Sequence, residues 1–304
     1  MLAGFQTKLV SGAAAETYLK DTCQLLSLRW DPQNAEPGTI VVPIMLHSIA
    51  KSGRAITDDT TISEEYYYRL IEYARQSGFQ TITSAQLAEF LQKNTRIPSR
   101  SLILIVDDRK RAEYFETYFA PNFKKYSWTV TNAWISHPDT PAYLWKENEQ
   151  FVPSGMIDFQ AHGVIHNTPI EPGVSEEYIR GEIYGPLKAI EEHFGKRPIA
   201  FIWPRGRFTP QAVEIARQAG YQLGFTVYAR GPLLFNWIPL GDDERSARDP
   251  LLVLPRYWDT TAIAAIDEAL KVSQAAQAFY NQQRPLELAY YRQYCSSFPP
   301  LVNR

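Results

Sequence analysis

Two kinds of apolar pattern alternate from about residue 39 to residue 270. Short apolar runs bounded by Pro, Gly or charged residues are typical of buried strands. The runs of this kind predict strands at 39–46, 79–83, 102–106, 128–135, 156–161, 199–203, 223–227 and 251–255. Longer amphipathic segments between them predict helices. Strands that alternate with helices indicate a parallel sheet, either open or closed into a barrel.

Capping residues support the predicted helices. Ser and Thr favour the position before the first helical turn, and Gly favours the position after the last one. Ser63 is predicted to cap the helix that ends at Gly78, and Ser84 the helix that runs to about Lys93. Helices are also predicted at 176–194, at 210–219 and at 262–278.

The alternating segment predicts one domain with a flanking segment at each end. Its expected bounds are 39–272, with an N-terminal extension at 1–38 and a C-terminal tail at 273–304 that packs on the domain. Cys23 and Cys295 lie in the two flanking segments. Because the termini of a domain often lie close together, one interpretation is a disulfide in an exported protein, and the other is two unrelated buried thiols.

Charge and composition exclude two classes of partner. The chain has 31 basic and 33 acidic residues, a net charge of −2, and 45% hydrophobic residues. This balance argues against a protein that follows the phosphates of a nucleic acid. No apolar run approaches the roughly 20 residues that cross a bilayer. We therefore expect a folded, soluble protein that neither binds nucleic acid nor spans a membrane.

Polar residues that could carry chemistry follow several predicted strands. In parallel sheets with helical crossovers, catalytic groups lie just beyond the carboxyl ends of the strands. The chain has 5 His, so their positions are informative. The candidates that follow a strand are His47, Asp107, Asp108, His162, His166 and the segment from Trp203 to Arg205.

Two of these features suggest a metal site. His162 and His166 are four residues apart, one helical turn, so both imidazoles could face one ion, although this spacing alone is a weak signal. Asp107 and Asp108 end a buried strand. The repulsion between two adjacent carboxylates is unfavourable there, which suggests that they have a functional role. The alternative is a helix cap or a salt bridge with Arg109 or Lys110. One carboxylate with two imidazoles would leave an open position for an activated water.

These features, in this order, resemble the polysaccharide deacetylases of carbohydrate esterase family 4, the nodulation-protein homology domain. The similar stretch runs from Val41 to Pro255 and includes a strand ending in two Asp, H-x-x-x-H, the helix ending at Gly195, and Trp-Pro-Arg-Gly at 203–206. The strand that ends at His47 resembles that of members acting on poly-N-acetylglucosamine or the cell wall. The chain departs from the family at Arg109, where Gly is usual, and at Arg205, where an aromatic residue is usual.

The resemblance implies a fold, a cofactor and roles for residues. It implies an α/β fold, a distorted (β/α)7-type barrel, and one divalent metal ion: zinc, with cobalt or nickel as alternatives. Asp108, His162 and His166 would hold the ion, Asp107 would be the general base and His47 the general acid. Arg109, Trp203 and Arg205 would contact the substrate or its oxyanion.

Three functions follow from this interpretation. The first is a metal-dependent hydrolase that removes N-acetyl or O-acetyl groups from an extracellular or cell-wall glycan such as poly-N-acetylglucosamine, chitin-like polymer or peptidoglycan. The second is a glycan-binding protein that kept the fold with impaired catalysis, which would explain both Arg replacements. The third is a cytosolic hydrolase of a small amide or ester. We expect a monomer, secreted or at the cell surface, whose signal segment is not part of this sequence.

Overall fold

A computed structural model of the chain describes residues 2–56, 58–166 and 168–301. The strands are β1 (Ala14–Glu16), β2 (Ile40–Leu46), β3 (Ser48–Ala50), β4 (Thr61–Ser63), β5 (Gln80–Thr81), β6 (Arg100–Asp107), β7 (Val130–Trp134), β8 (Ile157–Ala161), β9 (Ala200–Ile202), β10 (Leu223–Phe225), β11 (Ile238–Leu240) and β12 (Tyr257–Trp258). The α-helices are α1 (Thr22–Trp30), α2 (Glu64–Gln76), α3 (Ser84–Lys93), α4 (Ala112–Tyr118), α5 (Ala120–Tyr126), α6 (Ala142–Glu149), α7 (Glu176–Phe194), α8 (Pro210–Gln218), α9 (Asp242–Ser246) and α10 (Ala262–Tyr294).

The main sheet is parallel and curls into an incomplete barrel. Its strand order is β10, β9, β8, β7, β6, β2, β12. The short strand β5 pairs with the N-terminal part of β6. The segment before β12 bridges the two edges, because Leu254 pairs with Phe225 of β10 while Tyr257 pairs with Ile44 of β2. The predicted α/β fold of the distorted (β/α)7 type is confirmed.

Local sequence explains the central strands and the longest crossover helix. Every residue of β2 is buried, and so is β6 from Ser101 to Asp107, as expected of strands covered on both faces. Helix α7 has the predicted bounds: the Ser175 side chain accepts the amide of Tyr178, and Gly195 ends the helix in the left-handed region. These elements place the ends of β6 and β8 at the same rim of the barrel.

Two local predictions are wrong. The N-cap of α3 is Thr83 rather than Ser84, because Thr83 and Gln86 form a reciprocal capping box. The run 251–255 is not a strand: Pro250–Leu252 forms a 3-10 turn, and the paired strand β12 follows it. A short apolar run does not distinguish these two conformations.

The terminal segments pack on the barrel and on each other. Strand β1 pairs antiparallel with β11, and α1 packs on α10. A disulfide joins Cys23 to Cys295, so the two cysteines are paired rather than separate buried thiols. Helix α10 runs without interruption across the expected boundary between residues 272 and 273, which therefore lies inside one helix. None of the described helices has the length and apolar character needed to cross a bilayer.

Candidate active site

Asp107 and Asp108 end β6 in different environments. Asp107 is the last strand residue and is 2% exposed. Asp108 leaves the strand with φ 60°, in the left-handed region, and its side chain is 39% exposed. Such a conformation is sparsely populated by side-chain-bearing residues and is often found at functional sites. It turns the second carboxylate away from the first and toward the rim.

His162 follows β8, and a backbone carbonyl group orients its imidazole ring. Its Nδ1 lies 2.8 Å from the carbonyl oxygen of Ile202. Because a carbonyl oxygen can only accept, Nδ1 carries the proton and the Nε2 lone pair is free for a ligand. That Nε2 lies 3.7 Å from Oδ1 of Asp108.

His166 completes a group of three possible metal ligands, although not as the sequence suggested. Residues 162–166 form a loop rather than a helical turn, and His166 has φ 60°. The loop nevertheless brings the two imidazole centroids within 4.3 Å and places His166 Nε2 4.0 Å from Oδ1 of Asp108. One ligand atom from each of Asp108, His162 and His166 lies within 4.8 Å of the others.

The donor set fits a divalent metal. His166 Nε2 is buried and has no hydrogen-bond partner among the described residues, as expected of an atom that has a ligand to bind. Burial and the neighbouring His162 lower the pKa of His166 to about 4, so its lone pair is available at neutral pH. One carboxylate and two imidazoles form a set that binds zinc and leaves a position open.

Asp107 is paired with an arginine that the sequence interpretation missed. Arg256 is fully buried, and its Nη1 lies 2.8 and 2.9 Å from the two carboxylate oxygens of Asp107. Burial alone would raise the pKa of Asp107, but Arg256, with His162 and His47, holds it below the ordinary value. The sequence signal was a single cation directly after the apolar run 251–255.

His47 lies beside Asp107, near the same carboxylate oxygen, Oδ2, that His162 Nε2 approaches to 4.0 Å. Its Nε2 is 3.9 Å from Oδ2 of Asp107, and its ring stacks on Trp258 at 5.8 Å and 15°. Its buried Nδ1 has no hydrogen-bond partner in the described part of the chain. Burial lowers the pKa of His47, while the negative charge of Asp107 opposes this effect. Next to it lies Asp259, a fully buried carboxyl whose pKa burial raises to about 7.

The three residues expected to contact substrate occupy different environments. Trp203 is wrong as a substrate contact, because it is fully buried and donates its indole N–H to the carbonyl of Leu252. Arg109 is directed at the turn after β2: its Nε donates to the carbonyl of His47 at 2.8 Å, and its Nη2 to the Ser48 hydroxyl. Arg205 is exposed on the turn after β9, between buried Pro204 and Gly206, and has φ 55°.

A second missed residue, Glu182, supports the loop that carries the two histidines. It lies on α7, is 2% exposed, and accepts backbone N–H groups of that loop. A signal was present in the sequence, since a carboxylate on the apolar face of an amphipathic helix needs a buried partner. Nothing in the helical pattern identified that partner.

Comparison with known proteins shows similarity to polysaccharide deacetylases. A family model described as polysaccharide deacetylase matches residues 94–224, a stretch that contains Asp107, Asp108, His162 and His166. YxkH of Bacillus subtilis (strain 168), provisionally named a polysaccharide deacetylase, is 20% identical over 187 residues. That alignment covers 61% of this chain and 64% of YxkH, slightly less than two thirds of the relative.

Two solved structures share the fold at low sequence identity. The Streptococcus pyogenes deacetylase PplD in complex with acetate has a TM-score of 0.60 and 18% identity, over 78% of this chain and 99% of that one. IcaB from Ammonifex degensii has a TM-score of 0.57 and 19% identity, over 79% of this chain and 98% of its own. At these identities the likeness establishes the incomplete parallel barrel.

Proposed function

We propose that this chain, which belongs to the polysaccharide deacetylase family, removes N-acetyl groups from a glycan by metal-dependent hydrolysis. One observation carries the proposal: Asp108, His162 and His166 converge at the rim of the barrel beside a buried, ionised Asp107. Three metal ligands with an open position and an adjacent base form an arrangement that can hydrolyse an unactivated amide. The reaction adds water to the acetamide carbonyl and breaks its C–N bond, giving a free amine and acetate.

Asp107 is the general base in this proposal. A divalent ion held by Asp108, His162 and His166 would polarise the carbonyl and lower the pKa of water. Asp107 takes the proton from the attacking water. Arg256 keeps this carboxylate ionised and fixes both of its oxygens, so that the base is available at neutral pH and below.

His47 is the general acid. In its protonated form it delivers a proton to the amine nitrogen as the C–N bond breaks. The proton that Asp107 has taken then passes to His47 across the 3.9 Å between Oδ2 and Nε2, which restores both groups. Arg109 holds the His47 backbone, and Trp258 holds the ring. Both are therefore positioning residues for the acid.

Acetate release tests this function directly. Metal-loaded protein should release acetate from N-acetylglucosamine oligomers, and Asp107→Asn should lower the rate by about 10²–10⁴-fold, the usual contribution of a general base. Equal rates for both proteins would refute the base assignment. Binding of the oligomers without acetate release would favour the glycan-binding interpretation. Acetate release from O-acetylated glycans alone would mean that the enzyme cleaves O-acetyl esters rather than N-acetyl amides.

The proposed site of action is outside the cytoplasm, where the protein works as a monomer on a cell-wall or extracellular glycan. The disulfide between Cys23 and Cys295 supports this placement, because such bonds persist in oxidising compartments. Non-reducing mass analysis of protein from its native source tests it. Two free thiols there would argue for the reducing cytoplasm.

A further inference from the structure

Glu182 binds the histidine loop, residues 162–166, through three successive backbone amides. Oε2 accepts the N–H of Val164 at 2.9 Å and of His166 at 3.3 Å, and Oε1 accepts the N–H of Ile165 at 2.8 Å. Consecutive amides that converge in this way form a concave anion site, here filled by a side chain of the same protein. The loop is thus wrapped around one carboxylate.

Two glycines allow helix α7 and the loop to approach this closely. Gly163 has φ +76°, and a Cβ there would lie 2.3 Å from Oε2 of Glu182. Gly185, one turn along α7, faces Val164, whose Cγ2 would be 2.4 Å from an added Cβ. At either position an added Cβ would collide with a side chain across this contact, which would have to shift.

In the described part of the chain, only amides of the histidine loop hydrogen-bond to the carboxylate of Glu182. Glu182 is 2% exposed, and burying a charge is unfavourable unless it is well hydrogen-bonded. The loop amides supply that bonding. On its other side, the loop is held by the amide of Ser136, which donates to the carbonyl of Gly163 at 3.0 Å. At the end of this anchored loop, His166 has a left-handed backbone, and its imidazole lies near Asp108.

We propose that Glu182 is a positioning residue that sets the affinity of the site for its metal ion. This inference rests on the proposed function, because the ion in question is the one that Asp108, His162 and His166 would hold. With Glu182 in place, both imidazoles face a common point before the ion arrives. Without it, His166 must be ordered when the ion binds, and affinity falls by about 10–100-fold, the usual effect of removing a residue that orients a ligand.

The test is a metal titration of the full chain. Glu182→Gln keeps the shape and removes the charge and one acceptor. Zinc affinity is measured by competition with a chelator, well below the unfolding temperature, and the visible spectrum of the cobalt-loaded protein reports the coordination geometry. We expect the zinc Kd to rise about 10–100-fold and the spectrum to change. Asp158→Asn is the matched control, since Asp158 is also a buried carboxylate that accepts a backbone amide, from Ser84.

A second pair of variants tests the contact between Glu182 and the histidine loop without changing any charge. Gly163→Ala and Gly155→Ala both place a Cβ on a left-handed backbone, but nothing lies within 4 Å of a Cβ at Gly155. Both substitutions therefore strain the backbone, but only the Cβ added at Gly163 collides with Glu182. Gly163→Ala should weaken zinc binding, and Gly155→Ala should leave the Kd within about twofold of wild type.

Two results separate this inference from the proposed function. If wild type takes up no zinc, the proposed metal site is wrong. If wild type binds zinc, and Glu182→Gln binds it within about twofold with the same cobalt spectrum, Glu182 does not set the affinity, whatever happens to stability. In metal-free protein, hydrogen exchange at the amides of Val164, Ile165 and His166 should accelerate in Glu182→Gln. Unchanged exchange there would also overturn the inference.

Discussion

Replacing Arg256 by Met should move the acidic limb of the activity profile. Arg256 is fully buried and contacts both oxygens of Asp107, at 2.8 and 2.9 Å. A cation at this distance lowers a carboxyl pKa by about 1–3 units. In Arg256→Met, burial is no longer opposed by this charge, so the pKa of Asp107 rises. Since the base must be ionised, the acidic limb of kcat/KM should move to higher pH by about 1–3 pH units.

Stability should change with pH in a related way. Removing one partner of a buried ion pair costs about 3–5 kcal/mol. In wild type, the lowered pKa of Asp107 contributes stability above the unfolded-state pKa, and this contribution is lost as the pH falls through the folded-state pKa. In Arg256→Met the buried carboxylate is unpaired, so the loss of stability should be largest near neutral pH and should shrink on acidification.

The assay compares pH profiles of acetate release with urea unfolding at neutral and acidic pH. Arg29→Met is the control, because Arg29 forms a largely buried pair with Glu287 at 2.6 Å that links α1 to α10. It should lose stability without any shift of the acidic limb. An Arg256→Met enzyme whose turnover falls while its acidic limb stays in place would refute the reasoning, since Asp107 would then not be the group that titrates.

Three further substitutions test other parts of the site and fold. His47→Gln should lower acetate release by about 10²–10⁴-fold while zinc binding, measured by titration, is retained; loss of the ion would make His47 a ligand. Cys23→Ser with Cys295→Ser should lower the unfolding free energy by about 2–4 kcal/mol in urea without changing kcat/KM, and a large activity loss would mean that the disulfide shapes the site. Trp203→Phe should destabilise the protein by about 1–3 kcal/mol by leaving the Leu252 carbonyl unpaired, with KM unchanged; a raised KM would restore Trp203 as a substrate contact.

The fold and the position of the site were predictable because they depend on local patterns. Buried parallel strands read as apolar runs, and the rule that chemistry follows their carboxyl ends needs no knowledge of strand order. Asp107, Asp108, His162 and His166 were therefore found together. The four-residue spacing of the two histidines suggests a helical turn, but the structure has a loop there. The same spacing is compatible with either conformation, so it does not decide between them.

Residues that act through long-range contacts could not be found in this way. Arg256 is 149 residues from Asp107 along the chain, and Glu182 is 16 residues from His166 on a different element. Each is a charge in an apolar surrounding, which signals a buried partner without naming it. Trp203 was misassigned for the opposite reason: it lies at a strand end next to the motif, and sequence position alone does not show that its ring turns into the core.

The central claim is that Asp108, His162 and His166 bind the ion on which deacetylation depends. The most direct measurement is zinc titration of chelator-stripped protein, with acetate release from N-acetylglucosamine oligomers followed at each step. Activity should rise in proportion to occupancy and saturate at one ion per chain, and Asp108→Ala should neither bind the ion nor release acetate. Full activity in the stripped protein, or saturation with zinc in Asp108→Ala, would contradict the account.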